Sequence, residues 1–351
     1  MNVVVTGGLT GGHVMPCVSL ALALRSAGHD VLYIGADGQF EAHTCQRYGI
    51  PFAGIRFHRH SRIRRIALLL PGFLSAARAM RRFRPSVIFS KGSVVAVPVV
   101  LAGRLLRVPV IAHESDTVPG SETLRLARYC DLICLGHETT RAFFNQPTLI
   151  TGNMTRPNFG GGTRSECLRL YGFPSHKPVV FVTGGSQGAL AINDLIYPIL
   201  SQLTNKYSVV HQCGVGKLRP QTGLSDYVQL EFLFDEIKHV YAASRVVVSR
   251  AGASSLAEAC WYGVPMILIP LPAAEFDHQW HNALALESHG LCTILPQGQA
   301  TPARLARAID EMIANRARFA ERYREWSRAE PTNGHAAVQR IVQMLERYTT
   351  G

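Results

Sequence analysis

Residues 246–282 read VVVSRAGASSLAEACWYGVPMILIPLPAAEFDHQWHN, and the fold turns on how this stretch is read. A β-branched run, Val246 to Ser249, passes through Arg250-Ala251-Gly252-Ala253-Ser254-Ser255 and falls into helical spacing at Leu256, Ala259, Cys260 and Gly263. That is a strand, a tight turn and a helix start. A turn of small residues at a helix N-terminus exposes backbone N–H groups and the positive end of the helix dipole, which together suit a phosphate. Glu258 lies one turn in, where a carboxylate reaches two vicinal hydroxyls such as those of a ribose. The same residues also fit an ordinary βα unit, with Ser254 or Ser255 as N-cap and Glu258 completing a capping box. A second apolar run, Met266 to Leu271, leads through a loop to Asp277-His278-Gln279, polar groups of the kind a sugar's hydroxyls require.

Outward from this stretch, the pattern occurs twice more. Val3 to Val5 reads as a buried parallel strand, followed by Gly7-Gly8-Leu9-Thr10-Gly11-Gly12-His13, with Pro16 near the first helical turn and Gly28 ending the helix. The loop is not the dinucleotide fingerprint G-x-G-x-x-G, because Leu9 and Thr10 break its spacing and no acidic residue is well placed for a dinucleotide ribose; a nicotinamide site is disfavoured. His13, at the loop's end, is either a structural histidine or a base exposed at the sheet's carboxyl edge. In the second half, Val179 to Thr183 leads into Gly184-Gly185-Ser186-Gln187-Gly188 and a helix from Ala191. Between the halves, Gly160 to Thr163 and Pro174 to Pro178 mark a domain boundary. The expected division is residues 1–160, residues 161–335, and a C-terminal helix over 336–351 that returns to the first domain.

A length of 351 residues with 47% hydrophobic and 17% charged side chains suits two globular domains with ample cores. The eight cysteines form no C-x-x-C pair, and Met1 leads straight into strand-like residues without an apolar signal segment, so a reducing cytoplasm is expected. The longest apolar runs, Val94 to Ala102 and Val264 to Ala274, are short, proline-broken and far from the roughly 20 residues of a membrane span.

The formal charge of +12 is unevenly placed: no acidic residue occurs between Glu41 and Glu114, while Arg47 to Arg107 supplies 13 arginines and lysines. Nucleic acid, an anionic membrane or an anionic substrate would each answer such a basic face. Arg62-Ile63-Arg64-Arg65-Ile66 leads into Ala67 to Leu70, and then Phe73, Ala76, Met80 and Phe83 recur at helical spacing among Arg78, Arg81, Arg82 and Arg84. One reading is a core helix with a solvated basic side; the other is a surface whose apolar side chains enter a bilayer interface while arginines meet lipid phosphates. Few aromatic residues interleave with the arginines and no RNA or DNA signature is present, so nucleic acid is not expected as a partner.

The motifs R-A-G-A-S-S-L-A-E at 250–258 and D-H-Q-x-x-N-A at 277–283 resemble the donor site of the MurG family of N-acetylglucosaminyltransferases, which convert lipid I to lipid II in peptidoglycan synthesis. The family's G-G-[GS]-T-G-G-H loop matches here except for Leu9, and G-G-S-Q-G matches at 184–188. The resemblance implies that Thr10, Gly11 and Gly12 meet the acceptor's diphosphate, with His13 as the proposed base. Ser186 and Gln187 would bond the donor phosphates, the Phe234-Asp235 backbone would read uracil, and Ser254, Ser255, Glu258, His278 and Gln279 would complete the donor site. Thr151-Gly152-Asn153-Met154-Thr155-Arg156 is similar to the family's T-G-N-P-V-R, which aims Arg156 at the donor diphosphate. His113-Glu114-Ser115-Asp116 matches H-E-Q-N in its first two residues only; Glu114 and Asp116 are candidates for holding the acceptor sugar or assisting His13, and Asp116 equally for capping a helix near Ser121. Lys91-Gly92-Ser93 departs from the family's glycine pair and aromatic.

The fold implied is α/β: two doubly wound, Rossmann-like parallel-sheet domains facing a cleft, the glycosyltransferase-B arrangement. The first domain would bind acceptor and membrane, and the second UDP-N-acetylglucosamine. The reaction would be inverting transfer of N-acetylglucosamine to lipid I at the cytoplasmic face of the inner membrane, by a peripheral protein. No D-x-D pair is present to chelate a cation, so neither metal nor other cofactor is expected. A sugar-nucleotide epimerase of the same fold and a non-catalytic nucleotide- or RNA-binding protein are the competing readings.

Overall fold

The computed structural model describes residues 1–56, 69–220, 223–272, 274–329 and 336–350. The chain forms two compact units, Met1–Pro157 with Gly334–Gly351, and Asn158–Asn333.

The first unit runs β1 (Asn2–Thr6), α1 (Gly11–Ser26), β2 (Asp30–Ala36), α2 (Phe40–Arg47), β3 (Phe52–Ile55), α3 (Leu69–Phe83), β4 (Val87–Ser90), α4 (Ala96–Leu105), β5 (Val110–Glu114), α5 (Ser121–Ala127), β6 (Leu132–Leu135) and β7 (Thr148–Ile150). Its seven strands are parallel in the order β3-β2-β1-β4-β5-β6-β7. Val3, Val4 and Val5 of the central strand are fully buried because helices cover both faces, and each such side chain contributes about 1.5–3 kcal/mol. Pro16 is the sixth residue of α1, early in its second turn.

The second unit runs α6 (Arg164–Tyr171), β8 (Val179–Thr183), α7 (Leu190–Ile196), α8 (Leu200–Lys206), β9 (Ser208–Gln212), β10 (Tyr227–Leu230), α9 (Ile237–Ala243), β11 (Ser244–Ser249), α10 (Ala253–Trp261), β12 (Met266–Leu268), α11 (His278–Glu287), β13 (Cys292–Ile294), α12 (Pro302–Ala314) and α13 (Arg316–Ala329). Its six parallel strands are ordered β10-β9-β8-β11-β12-β13. In each sheet the order reverses beside the first strand, which opens the carboxyl edge there to a ligand.

The last helix, α14 (Ala337–Thr350), belongs to the first unit. Ala337, Ile341 and Leu345, spaced four apart, are fully buried in the cluster that holds Val14 and Val18 of α1. Arg340 donates from Nε and Nη2 to the Thr151 carbonyl at 3.0 and 2.8 Å, tying α14 to the end of β7.

Helix α3 decides one of the open readings. Ala76 and Met80 are buried in the core and Phe73 and Phe83 pack against it, so the apolar repeat is a core stripe and those side chains do not reach a bilayer. The outward face instead carries Leu70 and Leu74, 66% and 57% exposed, with Arg78, Arg81 and Arg82 also exposed. Arg62 to Leu68 lie outside the described residues.

Candidate functional site

In the first unit the glycine loop between β1 and α1 is braced from below. Tyr33 donates its hydroxyl to the Gly7 carbonyl at 2.6 Å. The fully buried carboxylate of Glu41 accepts the Leu9 amide at 3.1 Å and the Ala36 amide at 3.0 Å, and a side chain at Gly8 would overlap it. Leu9 has φ 73°, a left-handed conformation that glycine adopts freely and leucine does not. Thr10 is the N-cap of α1, so Gly11, Gly12 and His13 form the helix's first turn. The Thr10 hydroxyl and His13 Nδ1 are 2.9 Å apart, which orients the half-buried imidazole.

The crossovers bring three further loops to this edge. Lys91, after β4, is only 4% exposed, and its Nζ donates to Ser115 Oγ. Glu114 ends β5; one oxygen accepts the amides of Ser115 and Asp116 at 2.7 and 3.0 Å, and the other accepts the Gly120 amide at 3.4 Å. Burial pushes the Glu114 carboxyl's pKa up, Asp116 adds to the rise, and Lys91 opposes it. The N-cap of α5 is Gly120 with no side-chain cap, so Asp116 does not cap that helix. His113 donates from Nε2 to the Gly152 carbonyl at 3.0 Å, and burial holds the ring's pKa well below the usual range.

His137 and Asn153 escaped the sequence reading as site residues. Asn153 donates to the Ser115 carbonyl at 3.0 Å and lies 3.4 Å from His137 Nε2, linking the loops after β5, β6 and β7. Burial lowers the pKa of His137 while Asp116 raises it. Their convergence comes from the parallel topology, and no local spacing announces it. Among the described residues, the buried side-chain polar atoms with no hydrogen-bond partner are Thr6 Oγ1, Ser93 Oγ, His113 Nδ1 and Asn153 Oδ1, all at this edge. Natural interiors satisfy nearly all such atoms, and the exceptions concentrate where a site is built.

In the second unit, the turn after β8 is formed by a Gly188 amide bond to the Gly185 carbonyl at 3.0 Å. Gly188 has φ 66°, and a side chain there would overlap the Cys213 carbonyl, so the turn packs directly on the end of β9. Gln212 donates to Gly185 at 3.0 Å and accepts the Leu233 amide at 3.0 Å, joining the Ser186–Gln187 loop to the Phe234 loop. Lys217 donates to the Gln187 carbonyl at 2.6 Å. The Phe234 amide donates to Glu236 at 3.0 Å.

After β11, Gly252 is the N-cap of α10 and no side chain caps the helix; Ser254 and Ser255 are its second and third residues and Glu258 its sixth, so the capping-box alternative does not hold. Glu258 is 4% exposed. Arg250 is no anion ligand: its buried guanidinium donates to the carbonyls of Ile269 and Pro270 at 2.9 and 3.1 Å and to Gln297 at 2.7 Å. Asn282 donates to the Ala251 carbonyl at 3.1 Å and binds α11 to the turn. Before α11, Phe276 and Asp277 are both left-handed at φ 52° and 50°, a strained pair of the sort held in place at functional sites. His278 Nδ1 donates to the Glu275 carbonyl at 2.8 Å, and Gln279 accepts the Leu271 amide at 3.1 Å. Arg156 is half-buried near the end of the first unit, whereas the donor-type turns belong to the second.

Comparisons with known proteins bear directly on these two edges. The sequence model of the glycosyltransferase family 28 N-terminal domain matches residues 3–134, and that of the family 28 C-terminal domain residues 179–338. The chain is 35% identical over 327 residues to the UDP-N-acetylglucosamine–N-acetylmuramyl-(pentapeptide) pyrophosphoryl-undecaprenol N-acetylglucosamine transferase of Lachnospira eligens, covering 91% of this chain and 92% of the relative. The protein of the same name from Legionella pneumophila is 37% identical over 304 residues, 84% of each chain. The crystal structure of Acinetobacter baumannii MurG superposes with a TM-score of 0.74 at 25% identity over 99% of both chains. The kitacinnamycin glycosyltransferase, at 18% identity and a TM-score of 0.76, shares the fold, which is the glycosyltransferase-B architecture of two parallel-sheet α/β units. With both family domains matched in chain order and relatives above 30% identity along most of its length, the chain belongs to glycosyltransferase family 28, among the UDP-N-acetylglucosamine–N-acetylmuramyl-(pentapeptide) pyrophosphoryl-undecaprenol N-acetylglucosamine transferases.

Proposed function

We propose that this chain transfers N-acetylglucosamine from UDP-N-acetylglucosamine to the muramoyl O4 of undecaprenyl-diphospho-N-acetylmuramoyl-pentapeptide, lipid I, giving lipid II for peptidoglycan synthesis. The observation that carries the reading is the family match over both units, joined to a small-residue turn at the head of α10 with Glu258 inside the helix it starts. The second unit takes the donor and the first the acceptor.

In an inverting displacement the acceptor hydroxyl loses its proton as it attacks C1, and the departing UDP gathers charge on its β-phosphate. His13 takes the proton. A base needs its lone pair on Nε2, which is the tautomer whose Nδ1–H is donated to Thr10, 2.9 Å away. Leaving-group charge is met by Ser186, the backbone of the 184–188 turn and the first-turn amides of Ser254 and Ser255. Glu114, with both oxygens given to backbone amides, holds its loop, and Asp116 is the carboxylate offered to the acceptor sugar.

Among the described residues no helix is long and apolar enough to cross a membrane. Access to a lipid-linked acceptor therefore comes through a peripheral contact on the cytoplasmic face of the membrane, through Leu70, Leu74 and the arginines of α3. Incubation with labelled UDP-N-acetylglucosamine and a lipid I analogue tests the whole reading. Transfer of label to the analogue is the expected result; an epimerised sugar nucleotide, or binding without turnover, would replace it with one of the other two functions.

A further inference from the structure

Lys91 carries an ammonium group into the interior of the first unit. Its Nζ donates to Ser115 Oγ, and Ser115 stands between Glu114 and Asp116. The Lys91 amide donates to the Thr6 carbonyl at 2.8 Å, and a Cβ built on Gly7 would come 3.1 Å from the lysine's own Cβ, so the residue lies directly against the base of the glycine loop. A cation so enclosed is stable only where opposite charge offsets its lost hydration. The titratable groups around it are Glu114, Asp116 and His113 on β5 and its loop, and Cys17 on α1. Two of these are neutral: burial, reinforced by Lys91, keeps His113 unprotonated, and burial pushes the Cys17 thiol up to about 12. The carboxylates remain as the balance. Burial pulls the lysine's pKa down and the Glu114 carboxyl's up, and each charge opposes the shift of the other.

We propose that Lys91 is a positioning residue for transfer: its buried side chain, hydrogen-bonded to Ser115, holds the loop that carries Glu114 and Asp116 so that Asp116 meets a hydroxyl of the acceptor sugar. The proposal rests on the reading of the first unit as the acceptor site. Glu114 spends its charge on the backbone of residues 115–120 and shapes the loop, while Asp116 is the more exposed of the pair.

The test uses the full-length chain with carbon-13-labelled carboxyl groups, the two resonances being assigned with Glu114→Gln and Asp116→Asn. In Lys91→Met the titration of the Glu114 carboxyl moves upward by about one to three pH units, the reach of an adjacent opposite charge. The acidic limb of the pH–rate profile moves with it, and KM for UDP-N-acetylglucosamine stays put. In Lys91→Met combined with Glu114→Gln, one charge of each sign is gone and the acidic limb returns toward the parent's. A titration unmoved in Lys91→Met, or a double variant no better than the single one in fold or profile, overturns the proposal. Failure of the parent to use a lipid I analogue strikes the acceptor reading instead and leaves the carboxyl titration to judge Lys91.

Discussion

The Glu41 carboxylate accepts the Leu9 amide at 3.1 Å and thereby holds a leucine at φ 73° in the middle of the glycine loop. The same carboxylate accepts the Ala36 amide at the end of β2, so one buried side chain fixes the loop to the sheet. Glu41→Ala strands both amides, each at a cost of about 1–3 kcal/mol. Urea denaturation should show the first unit destabilised by about 2–6 kcal/mol, with Leu9→Gly in the same background recovering part of it by relieving the strained φ. A loss below about 1 kcal/mol would mean that the loop does not depend on Glu41.

For Glu258 the expected role is a hydrogen bond to the donor's ribose. Glu258→Ala should weaken UDP binding by about 1.5–3 kcal/mol, the range for a bond to a charged group. Calorimetry reads this directly, and a melting curve taken alongside separates it from misfolding, since the side chain is 4% exposed. Unchanged UDP affinity in a folded variant takes Glu258 out of the site.

His13→Ala, by contrast, should spare UDP affinity and lower kcat about 10²–10⁴-fold, the usual contribution of a general base. Thr10→Val removes the partner of Nδ1 and should cost less, because the ring stays but loses its orientation. A His13→Ala enzyme at full rate would pass the proton to Asp116.

The strand, turn and helix at 244–261 and at 179–196 were legible because parallel strands buried on both faces read as β-branched runs and their turns as clusters of glycine and serine. Periodicity could not separate the two readings of Phe73, Met80 and Phe83, since a stripe facing core and a stripe facing lipid share one spacing; only the packing of α3 on the sheet decides it. Likewise Ser254 and Ser255 are good capping residues two and three positions too late, the N-cap being Gly252. Lys91, His137 and Asn153 lie far apart in sequence, and parallel crossovers alone bring them to one edge.

A pH prediction follows from the second unit. His211 is fully buried, placed 3.0 Å from both Asn193 Oδ1 and the Tyr227 hydroxyl, and burial lowers its pKa to about 4. The Asn193 oxygen can only accept, so Nε2 carries the proton and Nδ1 accepts from Tyr227. A histidine depressed in the folded state contributes stability that is complete above its unfolded value near 6.5 and is lost as pH falls toward the folded value. The loss should reach about 3 kcal/mol by pH ~4, at about 1.4 kcal/mol per unit. Denaturant midpoints measured across that window should fall in the parent and fall less in His211→Gln; identical slopes would place the acid sensitivity elsewhere.

The exposed side of α3 gives the last prediction. Leu70 and Leu74 stand outward at 66% and 57% exposure, with Arg78, Arg81, Arg82 and, just past the helix, Arg84 exposed beyond them. Each arginine near an anionic bilayer contributes about 1 kcal/mol, decaying over a Debye length of about 8 Å at physiological salt, and each leucine entering the interface adds apolar burial that salt does not screen. Two variants separate the two contributions. Replacing Arg81, Arg82 and Arg84 by Ser should release the protein from anionic vesicles and abolish most of the salt dependence of what remains. Replacing Leu70 and Leu74 by Ser should weaken binding while keeping its salt dependence, and replacing Phe73 or Met80 should unfold the first unit before it alters lipid affinity, because those side chains are core. Transfer to a short-chain, soluble acceptor should survive in the arginine and leucine variants, since the proposed chemistry belongs to the carboxyl edges of the sheets. Sedimentation of the arginine variant with vesicles as the parent does, or indifference of the parent to anionic lipid at low salt, would reduce α3 to a core helix with a solvated side.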